Sequence, residues 1–400
     1  MNLAIVIPAL NEEKSIENII TRCLSAKEYI TSHSIVKSVE ITVVSDGSTD
    51  NTVAIASGFK DSIKVIVFEK NKGYGAAIKE GWAQSGAELL GFLDADGTCD
   101  PLFFSDLCNL LVNENADIAL GSRLNENSQM PLIRRIGNTC YSLLLSMVSF
   151  QKIKDTASGM RVVRKKSLHR IMPLPDGLHF TPAMSARAIL SEDLKIVEKD
   201  MPYKEREGRS KLSVMKDGIR FLNIILKMIF LYQPYKILAL GAILGFLICG
   251  GLMIFPITHY IQFRRVEEWM IYRFVVSDVL GFISWLFLSS AYITRKIVSI
   301  TLTAGFPKKK ISLYSIFNKR IALVLICFTL ATGVLLVYNS FVQRLTTGVT
   351  YEHWSRFVAM SFLFSTAFVF IVTLIIDYVL NLINERLQYF QSYKESQSLR

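Results

Sequence analysis

The sequence has few charged residues and few cysteines for its length. Asp, Glu, Lys and Arg make up 20% of the 400 residues and hydrophobic residues 51%, a balance that excludes an intrinsically disordered chain. The six cysteines are scattered, with no Cys-x-x-Cys pair and no nearby pair of histidines, so the sequence offers no zinc site of the usual spacing. We expect reduced cysteines in a protein that faces the cytosol.

The N-terminus lacks the pattern of a secretory signal. Its first apolar run, residues 3–10, is short, contains Pro8 and continues directly into the polar residues 11–14. We therefore expect the N-terminal part to stay on the side of the membrane on which it is made.

The net charge of +11 indicates an anionic partner, either nucleic acid or the anionic face of a bilayer. The positive excess is unevenly distributed, because Lys and Arg number 16 against 7 Asp and Glu from Pro234 onward, but 29 against 27 before it. A chain of 400 residues has room for two or three domains, so we place a boundary at Pro234. The basic C-terminal part favours anionic membrane lipids over nucleic acid as the partner.

Four apolar runs of about 20 residues follow this boundary. They lie at residues 237–255, 274–293, 321–338 and 357–376. Each is close to the length that crosses a bilayer as a helix, and Trp and Tyr residues at their edges resemble interfacial aromatic belts. The runs predict a membrane domain over residues 234–400 with four transmembrane helices; a set of buried core helices is the alternative.

The connecting loops predict the orientation. The loop between the second and third runs carries seven Lys and Arg residues, whereas the first loop carries three and the third carries two. Positive charge favours the cytoplasmic side. We therefore expect a multi-pass protein of the cell membrane with both termini and the first domain in the cytoplasm.

Two segments before Pro234 have the pattern of amphipathic helices. In residues 212–233 the polar residues form one helical stripe in an otherwise apolar segment, which predicts a helix lying in the membrane interface. That stripe consists of Lys216, Arg220, Asn223 and Lys227. Residues 130–150, with Arg134 and Arg135 near the start, are a second candidate. In both cases a buried helix of the soluble domain is the alternative.

Before residue 121, short apolar runs alternate with helical patterns. The runs at 3–7, 41–44, 63–68, 89–93 and 118–120 predict strands, and the segments near 12–30, 50–57, 74–84 and 101–113 predict helices. This alternation is typical of a parallel sheet covered by helices on both faces. It predicts an α/β, Rossmann-like domain over residues 1–211.

Polar segments follow the first four predicted strands directly. They are Pro8-Ala9-Leu10-Asn11-Glu12, Ser45-Asp46-Gly47-Ser48-Thr49-Asp50, Asn71-Lys72-Gly73-Tyr74-Gly75 and Asp94-Ala95-Asp96-Gly97. Each alone is a common turn sequence. Ligands of such sheets bind at the carboxyl ends of the strands, so four such segments on successive strand ends predict a binding site.

Asp94 and Asp96 indicate a metal. Two residues apart on extended backbone, their carboxylates project to the same side. Such a pair holds one hard divalent cation, Mg²⁺ or Mn²⁺, and leaves positions open for the phosphate oxygens of a nucleotide diphosphate. We expect Asp46 to accept hydrogen bonds from a base or ribose, and Gly73 and Gly75 to let the backbone approach the ligand closely.

In this order the four segments resemble those of inverting family 2 glycosyltransferases, which have the GT-A fold. Three further segments are similar to the polyprenyl-phosphate hexosyltransferase branch, typified by dolichol-phosphate mannose synthase: Gly121-Ser122-Arg123, 155–161 and 208–212. The resemblance covers residues 3–230. It implies metal-dependent transfer of a hexose, from a nucleotide sugar of the GDP-mannose or UDP-glucose type, to a polyprenyl phosphate at the cytoplasmic membrane face.

The resemblance also implies roles for individual residues. The nucleotide-sugar contacts would come from Pro8, Ala9, Glu12, Val44, Asp46, Asp94, Ala95 and Asp96. Asp94 and Asp96 would bind the metal, with Asp96 as the principal ligand. The phosphates of donor and acceptor would be held by Arg123, Arg134 or Arg135, Arg206, Arg209 and Lys211. Many relatives carry Gln as a further metal ligand where this chain has Thr98, which leaves that position open to water.

Asp155 has three open interpretations. A phosphate monoester has a second pKa of about 6, so the acceptor needs no general base and catalysis rests on positioning and charge neutralisation. Asp155 would be the base for a hydroxyl acceptor, an orienter of arginines for a phosphate acceptor, or a helix cap before Thr156.

Two other functions share parts of this pattern. A processive polysaccharide synthase would use the same donor site, but the Gln-x-x-Arg-Trp motif of that branch does not occur in the sequence. The four apolar runs would alternatively form a lipid carrier or flippase coupled to the first domain. Few ionisable residues lie inside the runs, and we expect Asp278 and Arg273 to close a helix contact.

Overall fold

The computed structural model describes residues 1–126, 128–149, 151–191, 193–203, 214–302, 312–350 and 352–398. The chain falls into two compact units, Met1–Tyr232 and Gln233–Arg400.

The first unit alternates strands and helices. Its strands are β1 (Asn2–Ala9), β2 (Ser38–Ser45), β3 (Lys64–Val67), β4 (Leu89–Leu93), β5 (Ile118–Ser122), β6 (Met160–Arg164) and β7 (Ile196–Asp200). Its helices are α1 (Ile16–His33), α2 (Thr52–Ser57), α3 (Tyr74–Ala83), α4 (Phe104–Asn113), α5 (Leu132–Val148), α6 (Leu168–Ile171), α7 (Phe180–Leu190) and α8 (Val214–Tyr232). The α/β fold expected from the sequence is confirmed, since the predicted strands and helices before residue 121 are all present.

The strands form one sheet in the order β3-β2-β1-β4-β6-β5-β7. β1 pairs in parallel with β2 and β4, β2 with β3, and β5 with β7. β6 is antiparallel to both of its neighbours, β4 and β5, so the sheet is mixed and not purely parallel. The sequence does not predict β6 and β7, because they lie beyond the regular alternation.

The antiparallel direction of β6 matters for the site. The pairing sets Met160, the first residue of β6, beside Leu93, the last residue of β4. Residues 155–159, which precede β6, therefore reach the carboxyl end of β4, where Asp94 and Asp96 follow.

The sheet is buried on both faces. Leu3, Ile5 and Ile7 of β1 pack with buried residues of α1 and α4, whereas Ala4 and Val6 pack with buried residues of α3 and α7. Because successive side chains of a strand point to opposite faces, a strand covered on both sides has a continuous apolar sequence.

Helices α5 and α8 bury one side and expose apolar side chains on another. Leu145 of α5 and Ile225 and Ile229 of α8 are buried in the core of the first unit. The Tyr141 hydroxyl of α5 donates a hydrogen bond to the Gly218 carbonyl of α8 at 2.8 Å. The exposed apolar side chains recur at helical spacing at Leu132, Ile136, Leu143 and Met147 in α5, and at Met215, Ile219, Leu222, Leu226 and Phe230 in α8. These two helices thus have an apolar outer surface as well as an apolar inner one.

The second unit contains long helices. They are α9 (Pro234–Phe263), α10 (Ile271–Leu302), α11 (Lys319–Thr347) and α12 (Trp354–Ser398). In the part of the chain that the structure describes, four helical segments are long and apolar enough to cross a membrane, and each contains one of the four apolar runs of the sequence. A side chain at Gly241 would crowd Phe287, and one at Gly245 would overlap Ser284, so these glycines let α9 and α10 pack closely.

A largely buried ion pair joins α10 and α12. Lys296 Nζ lies 2.5 Å from Asp377 Oδ1, and the Tyr292 hydroxyl donates a hydrogen bond to the same oxygen at 2.6 Å. A hydrogen bond of 2.5 Å between Ser289 and Thr373 connects the same two helices. These polar groups therefore satisfy one another inside the unit.

The contact predicted between Asp278 and Arg273 is wrong. Asp278 Oδ2 accepts a hydrogen bond from Ser361 of α12 at 3.2 Å, whereas the Arg273 guanidinium lies over the ring of Phe255. A serine on a neighbouring helix thus takes the place that the sequence assigned to the arginine.

Candidate active site

A cavity of about 560 Å³ opens at the carboxyl edge of the sheet in the first unit. Its wall combines residues at or just after the carboxyl ends of three parallel strands with residues of α5 and α8. The strand-end residues are Pro8, Ala9, Glu12, Asp46, Asp94, Ala95 and Asp96, and the helix residues include Ile133, Arg134, Asn138, Tyr141, Asp217, Arg220 and Phe221. Of the predicted nucleotide-sugar residues, Val44 differs, because its side chain is buried in the core of the sheet.

Asp46 is only 3% exposed and fixes the neighbouring loop. Its Oδ1 accepts hydrogen bonds from the backbone N–H groups of Lys72 (2.6 Å) and Gly73 (3.1 Å), and its Oδ2 accepts one from Gly73 (3.0 Å). Burial raises the pKa of Asp46 above its ordinary value, although these backbone donors oppose the change. The Asp46 carboxylate thus lines the cavity and also holds the backbone of residues 72–73 in place.

Gly73 and Gly75 admit a neighbouring loop of the chain. Gly73 has a φ of 110°, and a Cβ at Gly73 or Gly75 would overlap the carbonyl of Asp176 or Pro175. The Gly75 N–H donates a hydrogen bond to the Asp176 carbonyl at 2.6 Å. The sequence predicted that a ligand would approach the backbone closely at Gly73 and Gly75. In the structure the backbone of residues 175–176 makes that approach.

Asp94 is enclosed by two neighbours that the sequence did not assign to it. The Tyr74 hydroxyl donates a hydrogen bond to Asp94 Oδ1 at 2.6 Å. On its other side, a Cβ at Gly159 would overlap Asp94 Oδ2, so the carboxylate occupies the space that a side chain there would fill. Tyr74 lies in the Asn71–Gly75 segment, in which the sequence predicted a role for the two glycines but none for the tyrosine.

Asp96 is bonded to the residue that stands in place of the expected Gln. Thr98 Oγ1 donates a hydrogen bond to Asp96 Oδ1 at 2.7 Å, and the Thr98 N–H donates to the same oxygen at 3.2 Å. Both residues are buried. The shorter Thr98 side chain thus contacts the carboxylate itself.

Asp94 and Asp96 bring carboxylate oxygens to one cavity, the ligand type that Mg²⁺ and Mn²⁺ prefer. Among the described residues, no group of three His, Cys, Asp or Glu side chains is placed to hold a metal. The donor set therefore fits a hard cation that takes its remaining ligands from phosphate and water.

Arg123 and Asp155 form a bidentate ion pair beside these carboxylates. Arg123 Nε donates to Asp155 Oδ2 at 2.7 Å and Nη2 donates to Oδ1 at 2.9 Å. The Arg123 side chain lines the cavity, whereas the Asp155 side chain is fully buried. Burial by itself would raise the pKa of Asp155, but the charge and hydrogen bonds of Arg123 hold that pKa below its ordinary value. An ionised carboxylate thus fixes the guanidinium at the cavity wall.

The other contacts of Asp155 bear on its three interpretations. Asn138 of α5 donates to Asp155 Oδ1 at 2.6 Å, and the Ala157 N–H donates to it at 3.1 Å. These are the contacts of a carboxylate that orients an arginine. The next regular element is the strand β6, so the helix-cap interpretation is wrong.

Arg161 is a buried cation behind this loop. Its guanidinium donates to the carbonyls of Thr156 (2.9 Å) and Ser158 (3.1 Å) and to the Ser185 hydroxyl (2.9 Å). Burial lowers the pKa of Arg161 to about 10. In the sequence Arg161 is the last residue of the 155–161 motif. Its hydrogen bonds to residues 156 and 158, made from inside the core, could not be predicted from that position.

The two candidate acceptor arginines lie in different places. Arg134 lines the cavity. Arg135 lines a second groove with Lys154 and Asp200. The remaining predicted cations, Arg206, Arg209 and Lys211, lie outside the described residues.

Sequence comparison finds relatives of the first unit. Residues 4–172 match glycosyl transferase family 2. The chain is 31% identical over 228 residues to the low-salt glycan biosynthesis hexosyltransferase Agl6 of Haloferax volcanii, covering 56% of this chain and 53% of that protein. It is 29% identical to the dolichyl-phosphate hexose transferase of the same organism, covering 56% and 93%. It is 24% identical to the dodecaprenyl-phosphate galacturonate synthase of Rhizobium johnstonii, covering 58% and 68%. The chain thus spans about half the length of the first of these relatives.

A solved structure of glucosyl-3-phosphoglycerate synthase from Mycobacterium tuberculosis, in complex with Mn²⁺, UDP and glucosyl-3-phosphoglycerate, is also similar. The TM-score is 0.44 at 19% identity, covering 57% of this chain and 79% of that one, and a likeness of this degree assigns no ligand here. Residues 4–172 are thus similar to glycosyl transferase family 2, and the sequence relatives include a dolichyl-phosphate and a dodecaprenyl-phosphate enzyme.

Proposed function

We propose that this chain transfers a hexose from a nucleotide sugar of the GDP-mannose or UDP-glucose type to a polyprenyl phosphate, at the cytoplasmic face of the cell membrane. The observation that carries the proposal is the cavity, which joins Asp94 and Asp96 at the strand ends to Arg123 and to Arg134 of α5. Carboxylates suited to a metal-bound diphosphate and cations suited to a lipid phosphate thus share one site. The dolichyl-phosphate and dodecaprenyl-phosphate relatives support the same acceptor class.

The donor would bind along the strand ends. Pro8, Ala9, Glu12 and Asp46 line the part of the cavity that would hold the nucleoside. Asp94 and Asp96 would hold Mg²⁺ or Mn²⁺, which supplies positive charge to the diphosphate when it is bound. The two carboxylates are already fixed by hydrogen bonds from Tyr74 and Thr98, so little reorganisation is needed when the donor binds.

The acceptor phosphate would bind at the arginines. Arg123 is held by Asp155, which presents its guanidinium in a fixed direction to an anion. A phosphate oxygen forms the bond to the anomeric carbon while the bond to the diphosphate oxygen breaks, which inverts that centre. The nucleoside diphosphate leaves with the bonding electrons. Asp155, ionised and paired with Arg123, takes no proton in this step.

The apolar outer surface of α5 and α8 supports a position at the membrane. Met147 of α5 is 71% exposed and Met215 of α8 is 77% exposed. Helices with such surfaces and basic residues lie at the headgroup level of bilayers that contain anionic lipids. The cavity wall formed by these helices would then meet the phosphate of a membrane-embedded acceptor, and the four apolar helices of the second unit would anchor the enzyme.

The test is a transfer assay with purified full-length protein in vesicles. Protein, Mn²⁺ and a polyprenyl phosphate are incubated with a panel of nucleotide sugars, and the lipid product is identified by mass spectrometry. We expect one hexose per lipid phosphate, and no product with Asp96→Ala although this variant still inserts in the membrane. Asp106→Ala, an exposed aspartate paired with Lys199, is the control and should retain activity. Wild-type transfer by Asp96→Ala would contradict the metal assignment, and a growing polysaccharide would contradict the acceptor assignment.

A further inference from the structure

Two hydroxyl groups, one partly buried and one buried, contact the two carboxylates of the candidate metal site, one each. Tyr74 donates to Asp94 Oδ1 at 2.6 Å, and Thr98 Oγ1 donates to Asp96 Oδ1 at 2.7 Å. Neither hydroxyl belongs to the ligand set that the family resemblance implies. Both donors therefore need an explanation beyond metal ligation.

Packing holds the Tyr74 side chain beside Asp94. Its ring makes edge contacts with Phe92 and Phe180, with ring centroids 6.4 Å apart in each case. The glycines on either side of Tyr74 dock against the backbone of residues 175–176. The hydroxyl is therefore presented to Asp94 by packing on the ring and on the backbone.

Thr98 is fixed in a comparable way. It is 2% exposed, and its backbone N–H and its hydroxyl both donate to Asp96 Oδ1. A carboxylate that receives two hydrogen bonds on one oxygen is restricted in its rotation. Many relatives have Gln as a metal ligand at this position. Thr98 instead donates a hydrogen bond to Asp96, the principal candidate ligand.

We propose that Tyr74 and Thr98 are positioning residues that hold the Asp94 and Asp96 carboxylates in the orientation that binds the divalent cation. The inference rests on the proposed function, since it assumes that these carboxylates hold the metal. Hydrogen-bond partners of metal ligands orient the ligands, and their loss typically weakens metal binding about 10- to 100-fold. A merely structural role for the two hydroxyls would change the thermal stability without changing the affinity for the metal.

The experiment measures Mn²⁺ affinity of the purified full chain by electron paramagnetic resonance of free Mn²⁺, without nucleotide. We expect Tyr74→Phe and Thr98→Val each to weaken binding about 10-fold or more, because each removes one hydroxyl and keeps the shape of the side chain. Thr98→Ser keeps the hydroxyl and should restore most of the affinity. Thermal unfolding of each variant shows whether the fold is intact.

Thr52→Val is the matched control. Thr52 is also buried, and its Oγ1 donates to the carboxylate two residues before it, Asp50, at 2.5 Å, as Thr98 does to Asp96. We expect this variant to keep the wild-type Mn²⁺ affinity. Wild-type affinity in folded Tyr74→Phe and Thr98→Val would overturn the inference. Asp96→Asn separates the two proposals: if it also binds Mn²⁺ like the wild type, the metal site itself is misplaced.

Discussion

The two units use buried polar groups for different purposes. In the first unit, Asp94, Asp96 and Arg123 are held by neighbours yet still line a cavity. In the second unit, Lys296 and Asp377 neutralise each other between two helices. Some polar groups are fixed by their neighbours and still face a cavity, so they can bind a ligand. Others make all their contacts with a buried partner and serve only to connect two helices. Substitutions in the first unit should therefore affect transfer, and those in the second should affect stability.

Of the following substitutions, Arg123→Lys should have the largest effect. This change keeps a positive charge beside Asp155 but removes the planar fork that makes two parallel hydrogen bonds. We expect kcat/KM for transfer to fall about 100-fold, the usual cost of misplacing a reactant in the site. Steady-state kinetics with vesicle-bound acceptor measure it.

Arg170→Lys is the control for this change. Arg170 pairs with Asp117 at 2.6 Å, away from the cavity lining. Comparable losses in the two variants would remove the distinction between a site arginine and a structural one.

Gly159→Ala should have the next largest effect. The added methyl group would overlap Oδ2 and Cγ of Asp94, so we expect the Asp94 side chain to adopt another rotamer while the backbone stays in place. We expect Mn²⁺ affinity and transfer to fall about 10-fold or more, with little change in thermal stability. Gly86→Ala, with open space around its Cβ position, should leave both unchanged. A large loss of thermal stability in Gly159→Ala would contradict this prediction, because it would mean that the fold cannot accommodate another position of the Asp94 side chain.

Lys296→Met tests the second unit. It leaves Asp377 between two helices without its cation, and breaking a buried ion pair is strongly destabilising, whereas replacing both partners by apolar residues is often tolerated. We expect a thermal midpoint several degrees lower in detergent and an unchanged kcat per folded molecule. The double variant Lys296→Met/Asp377→Leu should recover much of the loss. A fall in kcat at full stability would assign the second unit a part in the reaction.

The smallest effect is expected on the outer surface of α5. Met147→Gln removes one exposed apolar side chain, which would contribute about 1 kcal/mol to the proposed membrane contact. That amounts to roughly a five-fold rise in KM for a long-chain acceptor in vesicles. A short, water-soluble polyprenyl phosphate should show no change. Equal effects on both acceptors would mean that α5 acts on the chemistry and not on membrane contact.

Local sequence predicts much of the fold of the first unit. The strand β1 is apolar because it is buried on both faces, and segments such as Asp94–Gly97 end strands with polar residues, so the strands and the binding edge follow from periodicity. β6 does not follow, because it is inserted between β4 and β5 by pairing across long stretches of chain.

The site could be predicted in its residue types but not in its contacts. The carboxylates at 94 and 96 follow from their spacing. The partners of those carboxylates, Tyr74, Thr98 and Gly159, follow only from tertiary packing, since a hydroxyl or a missing side chain carries no pattern of its own. The role of Asp155 likewise depended on where Arg123 lies, which the sequence leaves open.

The antiparallel strand β6 has a consequence for the order of folding. Its pairing with β4 joins Leu93 to Met160, a contact between distant parts of the chain. Contacts of this kind carry a high loop-closure cost and tend to form slowly. A molecule in which only β1 to β4 have paired would possess Asp94 and Asp96 but not the loop that presses against them. Affinity for the proposed nucleotide-sugar donor should therefore appear only once β6 has paired, so in a refolding sample donor binding would report the fraction of molecules in which that strand is in place.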